Sequence, residues 1–286
     1  MDSVGLKSQA LAAWEAHAES WDGLMGDSGN KYFSVLELPI LDRMALGRNG
    51  AYALDLATGN GLVARWLAQE GASVIATDGS RPMLEQAKAR TESWYQQGKL
   101  NHDRKISFEV LDVMDPQCWD AFISRSLETC DGFDIITMNM ALMDIPDLKP
   151  LAIALKRLLK PSACFVATLL HPLFFTSGAD RQINVHENPV TGEREVTRSI
   201  VLKHYMSVPP ARQLLFWGNG EAPPPFSFHR PLHELFVPFF QAGLVLDALE
   251  EMNFDESYRN PVREYSSNNF TQFPKILGFR LRPSGS

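Results

Sequence analysis

Apolar residues in the middle of the chain fall into two alternating patterns. Short continuous runs predict five strands, at 51–56, 73–77, 106–113, 133–140 and 163–170. Segments with apolar residues at helical spacing separate the runs and predict helices at 61–70, 80–90 and 148–159. Strands that alternate with helices indicate an α/β fold, in which a parallel sheet carries helices on both faces. A ligand of such a sheet lies at the carboxyl ends of the strands.

The segment before the first strand carries a helical pattern only. Apolar residues at helical spacing predict helices at 6–25 and at 35–45, with the polar stretch GDSGN between them. We therefore expect residues 1–46 to form an N-terminal helical cap. Residues 51–171 follow as the ligand-binding core of the sheet.

The segment 172–231 breaks the alternation. Its roughly sixty residues are too many for an ordinary connection between two elements. It includes a possible hairpin around Thr191-Gly192 and the proline-rich run EAPPPFSFH. We expect this segment to be an insertion that covers the ligand site as a lid. Residues 232–286, with a helix at 232–243 and a strand near 275–281, would then complete the sheet of a single domain spanning 1–286.

The first strand ends in an acidic residue, and a glycine-rich turn follows it. The turn GNGLVA at 59–64 matches G-x-G-x-x-A, a fingerprint of dinucleotide-binding units. Asp78, at the end of the second strand, is placed where an acid accepts hydrogen bonds from ribose hydroxyls. The turn therefore indicates a nucleoside ligand and leaves its identity open.

Asp55 discriminates between nucleoside ligands. In a dinucleotide site the pyrophosphate lies over the turn and the helix N-terminus, where a neighbouring carboxylate would repel it. A ligand with an ammonium and a sulfonium group, such as S-adenosylmethionine (SAM), would be attracted instead. Ala57 occupies the first fingerprint position in DLATGNG, so the turn is not of the plain dinucleotide type. These residues favour SAM, and an NAD(P)-dependent oxidoreductase remains the alternative.

Five segments, in order, resemble class I SAM-dependent methyltransferases: ALDLATGNG, VIATDGSRPMLEQAKAR, EVLDVMD, FDIITMNMALMDIPD and LKRLLKPSACFVATLLHP. The similarity covers 14–171 and resumes at 232. It implies a Rossmann-like, doubly wound sheet of seven mostly parallel strands, with SAM as the cofactor. Ala57 departs from the glycine that the family often has at this position.

The resemblance implies roles for residues near the methionine and ribose parts of SAM. The loop that follows the first strand would hold the methionine moiety, largely through its backbone, with Asp55, Ala57, Gly59 and Gly61. Asp78 would accept hydrogen bonds from both ribose hydroxyls. Trp21, in a segment that resembles a helix closing over the cofactor, would lie near the carboxylate end. A packing role is the alternative for Trp21.

The resemblance also implies roles around the adenine and the sulfonium. Met83 would pack on the adenine face, Asp112 would accept from the exocyclic amine, and the backbone N–H of Val113 would donate to the ring. Asn139 and Met140 would lie beneath the sulfonium. Simpler alternatives are a core position for either methionine and a turn position for Asp112.

Methyl transfer is an in-line displacement that requires a close, aligned acceptor and the exclusion of water. A hydroxyl acceptor also benefits from a base, and histidine is the most common one. His171 ends the fifth predicted strand on the ligand side, His229 follows the proline-rich run, and Tyr205 lies in the insertion. These three residues are the catalytic candidates. For each of them, the alternative is a hydrogen-bonded structural residue.

Missing motifs narrow the range of acceptors. No metal-binding constellation is visible. The tetrapeptide Asn/Asp-Pro-Pro-aromatic, which marks methyltransferases that act on planar amino groups, does not follow FDIITMNM. Its absence disfavours acceptors of that kind. The insertion contains the aromatic runs HPLFF, HYM, LLFW and PPPFSF, which suit a fairly apolar small molecule or an ordinary packed lid. We expect O-methylation of a small molecule, in specialised or lipid-like metabolism, with N and S acceptors open. A SAM-binding protein with a non-methylating reaction is a second alternative.

Composition excludes several other classes. The net charge is −7 with no run of Lys and Arg, which argues against a nucleic-acid partner. No apolar run reaches the ~20 residues that span a bilayer, and the first residues lack the pattern of a secretory signal. Three widely spaced cysteines suggest neither a disulfide framework nor a zinc site. We therefore expect a reduced, cytoplasmic setting, and the oligomeric state stays open.

Overall fold

A seven-stranded sheet forms the centre of the protein. The computed structural model describes residues 3–101, 103, 105–213 and 222–285. With strands numbered in chain order, the sheet contains β1 (Tyr52–Leu56), β2 (Ser73–Asp78), β3 (Ile106–Val110), β4 (Phe133–Asn139), β5 (Leu159–Leu170), β10 (Leu244–Met252) and β11 (Ile276–Pro283). The strand order is β10-β11-β5-β4-β1-β2-β3. Only β11 runs antiparallel to its neighbours within this sheet, so the predicted mostly parallel, seven-stranded architecture is confirmed.

Helices cover both faces of the sheet, as the sequence predicted. They are α1 (Ser3–Ala16), α2 (Ala18–Met25), α3 (Leu38–Met44), α4 (Leu62–Gln69), α5 (Arg81–Gln96), α6 (Pro116–Thr129), α7 (Lys149–Leu158) and α8 (Leu232–Gln241). Successive strand residues point to opposite faces. Leu54 of β1 therefore joins the core beneath α6, α7 and α8, whereas its neighbour Ala53 joins the core beneath α3 and α4.

The close packing of α3 on the sheet requires a glycine in the strand below it. Gly278 of β11 faces Ile40 of α3, and a Cβ at position 278 would overlap the Ile40 side chain. Ile40 is fully buried. Gly278 therefore fixes how near the cap helix lies to the sheet.

Three element boundaries differ from those predicted. β5 begins at Leu159 and runs through Pro161, because a register irregularity between the pairs Phe133–Leu159 and Ile135–Cys164 accommodates a proline that has no N–H to donate. β3 ends at Val110, since the neighbouring strand β2 ends opposite it. The predicted helix at 6–25 is interrupted at His17 between α1 and α2.

The second predicted cap helix begins with a π-helical turn. Residues Phe33–Glu37 form this turn and lead directly into α3. A π-turn within a helix often marks a functional site. Here the turn carries Glu37, an acid that is 3% exposed.

Two smaller sheets lie in the segment 172–231. β6 (Ala179–Glu187) and β7 (Arg194–Leu202) form the predicted hairpin, and β8 (Ala211–Arg212) pairs with β9 (Phe226–Ser227). The aromatic run LLFW at 214–217 of the expected lid lies outside the described residues. Within the described ranges, no helix combines the length and apolar character needed to cross a bilayer.

Candidate active site

A cavity of about 620 Å³ lies at the carboxyl ends of the parallel strands. The carboxyl ends of β1, β2, β4 and β5 reach it through Asp55, Asp78, Asn139 and Leu170. Helices α1 and α2 line it with Trp14 and Trp21, and residues of the segment 172–231 also line it. This is the position expected for the ligand of a doubly wound sheet.

Asp55 is a buried carboxylate at the start of the glycine-rich loop. It is 1% exposed and accepts hydrogen bonds from the hydroxyls of Thr58 at 2.5 Å and Thr137 at 2.7 Å. Burial raises the pKa of Asp55 to about 6, and the nearby charge of Asp78 acts in the same direction. A positively charged ligand group would therefore stabilise the ionised form of Asp55.

Asp78 shapes the same loop from the end of β2. Its Oδ2 accepts the backbone N–H of Gly59 at 3.0 Å, and its Oδ1 accepts the N–H of Ser80 at 2.9 Å. Burial raises the pKa of Asp78 to about 6. Gly59 has a φ of 57°, so its N–H is directed toward Asp78 by a left-handed turn that glycine adopts without strain.

Within the described ranges, two residues other than glycine adopt the left-handed conformation, and both line the cavity. Ala57 has a φ of 51° and Met140 has a φ of 54°. This conformation costs an L-residue on the order of 1–2 kcal/mol. Strained residues of this kind concentrate at functional sites, where the surrounding structure stabilises them.

The structure brings the sequence-predicted cofactor residues together around one cavity, with one exception. Those that line it are Trp21, Asp55, Ala57, Gly59, Asp78, Met83, Asp112, Val113, Asn139 and Met140. Gly61 does not line it. The N–H of Gly61 donates to the carbonyl of Thr58, and its Cα faces Arg65 and Ala87 behind the loop. Gly61 thus supports the loop from the side away from the cavity.

The prediction of a catalytic role for His171 is not supported by its surroundings. His171 is 2% exposed and is not among the residues that line the cavity. Its Nε2 lies 2.7 Å from Oε1 of Glu251 in β10, and its Nδ1 accepts the backbone N–H of Leu173. Burial lowers the pKa of His171. Both ring nitrogens are therefore occupied in connecting the end of β5 to β10.

Tyr205 has a structural position as well. Its hydroxyl accepts the backbone N–H of Leu232 at 2.8 Å, and Leu232 is the first residue of α8. The first N–H groups of a helix have no partner within the helix, so this bond stabilises the start of α8. The Tyr205 side chain does not line the cavity.

His229 is the one catalytic candidate that lines the cavity. Its Nε2 lies 2.7 Å from the backbone carbonyl oxygen of Tyr205. A carbonyl oxygen only accepts, so Nε2 carries the hydrogen and donates it. In the neutral ring, Nδ1 then keeps a lone pair. The bond to Tyr205 therefore selects the tautomer in which Nδ1 can take up a proton.

Two acidic residues that line the cavity, Glu37 and Asp144, were not predicted from the sequence. Glu37 accepts a hydrogen bond from Nδ2 of Asn139 at 2.8 Å, and burial raises the pKa of Glu37 to about 7. Asp144 accepts from Nε2 of Gln213 at 2.7 Å, and burial raises its pKa well above the usual range. The only signal for Glu37 was its place between Leu36 and Leu38, in a segment that is otherwise apolar. Asp144 and Gln213 are far apart in sequence, so no local pattern indicates their contact.

The burial of Glu37 predicts a pH-dependent stability for the ligand-free protein. Its folded-state pKa of about 7 lies above the ordinary value of 4.5 for a glutamate, so the folded protein binds the proton more tightly than the unfolded chain. The free energy of unfolding should therefore fall as pH rises through this window, by on the order of 3 kcal/mol from this group. Urea unfolding at about pH 5 and about pH 8 measures the effect, and Glu37→Gln should lose clearly less stability than the wild type. Equal losses in the two proteins would contradict this assignment.

No His, Cys, Asp and Glu side chains within the described residues are grouped so as to hold a metal ion. The three cysteines, Cys118, Cys130 and Cys164, are unpaired.

Comparisons with known proteins agree with this geometry. A family profile described as "Methyltransferase domain" matches residues 54–167. The ubiquinone biosynthesis O-methyltransferase of Pasteurella multocida (strain Pm70) is 26% identical over 159 residues, which are 55% of this chain and 62% of that enzyme. The chain thus matches less than two thirds of the length of this curated relative.

Solved structures show the same fold. The SAM-dependent methyltransferase from Mesorhizobium loti superimposes with a TM-score of 0.60 at 20% identity, covering 90% of this chain and all of that one. The DhpI–SAH complex superimposes with a TM-score of 0.52 at 18% identity, covering 100% of both chains. Residues 54–167 thus match a methyltransferase domain, and the chain shares the fold of these SAM-dependent methyltransferases, with its cavity at the carboxyl ends of the parallel strands.

Proposed function

We propose that this protein transfers the methyl group of SAM to the hydroxyl of a small, fairly apolar acceptor. One observation carries the proposal. A single cavity is lined both by the carboxylates of Asp55 and Asp78 and by apolar side chains together with a tautomer-fixed histidine, His229. The carboxylates suit a cationic nucleoside, and the apolar side chains with His229 suit an apolar molecule that must lose a proton.

The residues present fit SAM. Asp55 is buried and Asp78 is partly buried, both line the cavity, and neither forms an ion pair with a Lys, Arg or His of the described chain. A buried carboxylate without a counter-charge is costly, and a ligand cation relieves this cost. Asp55 would face the ammonium group and Asp78 the ribose hydroxyls. When bound, SAM supplies an electrophilic methyl group on a positively charged sulfur.

The apolar part of the lining suits an apolar acceptor. It consists of aromatic and aliphatic side chains, including Met143, Phe174, Phe175, Phe228 and Leu235. Such walls bind flat or bulky apolar molecules and exclude water. Since most of these residues lie beyond β5, we also propose that the segment 172–231 is the substrate lid of a single domain.

His229 would act as the general base. Its Nδ1 takes up the proton of the acceptor hydroxyl as the oxygen attacks the methyl carbon, and the bond from that carbon to the sulfur breaks. The resulting imidazolium is stabilised by the carbonyl of Tyr205, which accepts from Nε2. The hydroxyl acceptor is further favoured by the curated relative, whose name is that of an O-methyltransferase. N and S acceptors would depend less on this base.

Transfer of isotope from methyl-labelled SAM tests the proposal. The purified full-length protein is incubated with labelled SAM and a panel of apolar phenols, amines and thiols, and the products are separated by mass. We expect label in methyl ethers of phenols, and little in the amines and thiols. SAM binding without transfer to any acceptor, in the panel or in a metabolite extract, would instead favour a protein that uses SAM for a non-methylating reaction.

A further inference from the structure

Glu37 is a buried acid that lines the cavity and has no counter-charge. It is 3% exposed, and within the described chain it forms no ion pair. The hydrogen bond from the neutral amide of Asn139 is the one partner found for its carboxyl group. One neutral donor does not offset the desolvation of a carboxylate. The position therefore calls for a positive group from a ligand.

We propose that Glu37 recognises the sulfonium of SAM, and so makes the site prefer the charged methyl donor over its uncharged, demethylated product. This inference rests on the proposed function, because it requires SAM to occupy the cavity. The π-helical turn of the N-terminal cap, which carries Glu37, would then distinguish the cofactor from the product.

A chain of hydrogen bonds fixes the orientation of Glu37 and Asn139. The Thr168 hydroxyl in β5 donates to Oδ1 of Asn139 at 2.6 Å, which leaves Nδ2 of Asn139 to donate to Glu37 at 2.8 Å. The N–H of Met140 donates to Thr168 in turn. The carboxyl group of Glu37 is thus fixed relative to the end of β4.

The sheet register places Glu37 on the same side of the cavity as Asp55. Asp55 is paired with Thr137 of β4 and accepts a bond from its hydroxyl. Asn139 lies two residues beyond Thr137, so both side chains point to the same face, about 7 Å apart along the strand. The end of β4 therefore binds two carboxyl groups: Thr137 donates to Asp55, and Asn139 donates to Glu37. The methionine part of SAM carries two positive centres, the ammonium and the sulfonium, separated by a short carbon chain. One carboxyl group is thus available for each positive centre.

Loss of the methyl group removes one of those two charges. The ammonium opposite Asp55 stays in the product, whereas the sulfonium becomes a neutral thioether. Glu37 would therefore lose its counter-charge at the moment of transfer, while Asp55 would keep its own. We therefore expect Glu37 to strengthen the binding of SAM, and the product, which lacks the sulfonium charge, to bind more weakly.

Calorimetric titration with SAM and with S-adenosylhomocysteine tests the inference directly. In the wild type, SAM should bind more tightly than S-adenosylhomocysteine, and Glu37→Gln should reduce this preference about tenfold, which is about 1.4 kcal/mol. The amide of the variant can still accept from Asn139, so the local structure is retained. Asp42→Asn is the matched control, because Asp42 is an exposed acid on the helix that continues from Glu37. The control should leave the preference unchanged.

Each outcome has a defined meaning. An unchanged preference in Glu37→Gln, with SAM still bound, would overturn the inference and leave the proposed function standing. A wild type that binds neither nucleoside would overturn the proposed function itself. If Glu37→Gln does not fold, Glu37→Asp keeps the charge and should retain most of the preference. A complete loss of preference in Glu37→Asp would contradict recognition by charge.

Discussion

Replacement of His229 by alanine should lower kcat for methyl transfer to a hydroxyl acceptor by about 10²- to 10⁴-fold, the usual contribution of a general base. The reason is the geometry of the ring. The carbonyl of Tyr205 fixes the proton on Nε2, which leaves Nδ1 as the acceptor. The affinity for SAM should stay within about twofold, because the cofactor residues belong to other elements. Steady-state kinetics with a phenolic acceptor, together with calorimetry for SAM, measure both quantities.

His233→Ala is the matched control for this prediction. His233 is an exposed histidine four residues further along the chain, on α8. Its variant should keep the wild-type kcat. A His229→Ala variant that keeps its full rate would contradict the assignment of the base.

Replacement of Asp55 by asparagine should weaken the binding of SAM by about 10- to 100-fold. The substitution keeps the shape and one acceptor for Thr58 or Thr137, but it removes the charge that faces the ammonium group. Charge-assisted hydrogen bonds contribute about 1.5–3 kcal/mol, which corresponds to this range. Calorimetric titration of SAM into wild type and variant measures the change.

The same titration with NADH separates the two ligand classes considered from the sequence. An NAD(P)-dependent enzyme would bind its cofactor more tightly once the carboxylate next to the pyrophosphate is removed. A gain in NADH affinity in Asp55→Asn would therefore contradict the account of the site. Asp120→Asn serves as the control, because the carboxylate of Asp120 is 72% exposed on α6 and should not affect either ligand.

The sequence predicted the central sheet well, because local patterns determine most of it. Each parallel strand is a short apolar run, and helix starts such as Ser80, whose Oγ accepts the N–H of Met83, carry recognisable caps. The errors lie where a neighbouring strand decides the boundary. β3 ends early because β2 ends, and β5 begins early because a bulge accommodates Pro161. Neither cause can be read from the local sequence.

The candidate site was predicted where its residues follow directly from strands, and missed where they meet by packing. Asp55, Asp78 and Asn139 lie at the carboxyl ends of their strands, so their convergence follows from the fold. His171 directly follows β5, but its partner Glu251 comes from β10, and the ring does not line the cavity. Glu37 is the opposite case, because it lines the cavity but was not predicted from the sequence. It lies in a helical segment with no motif, and only the packing of the cap on β4 brings it to Asn139.

The left-handed turn at Ala57 affects which sequence pattern can identify a protein with this loop. The loop keeps its shape through the bond from Thr58 to Asp55 at 2.5 Å and through the N–H of Thr58, which donates to Thr77. These contacts compensate for the strain at a position where glycine would have none. A search pattern that requires glycine at that place would miss this protein, although Ala57 adopts the left-handed conformation that glycine favours. The conformation of the loop therefore does not require a glycine at that position.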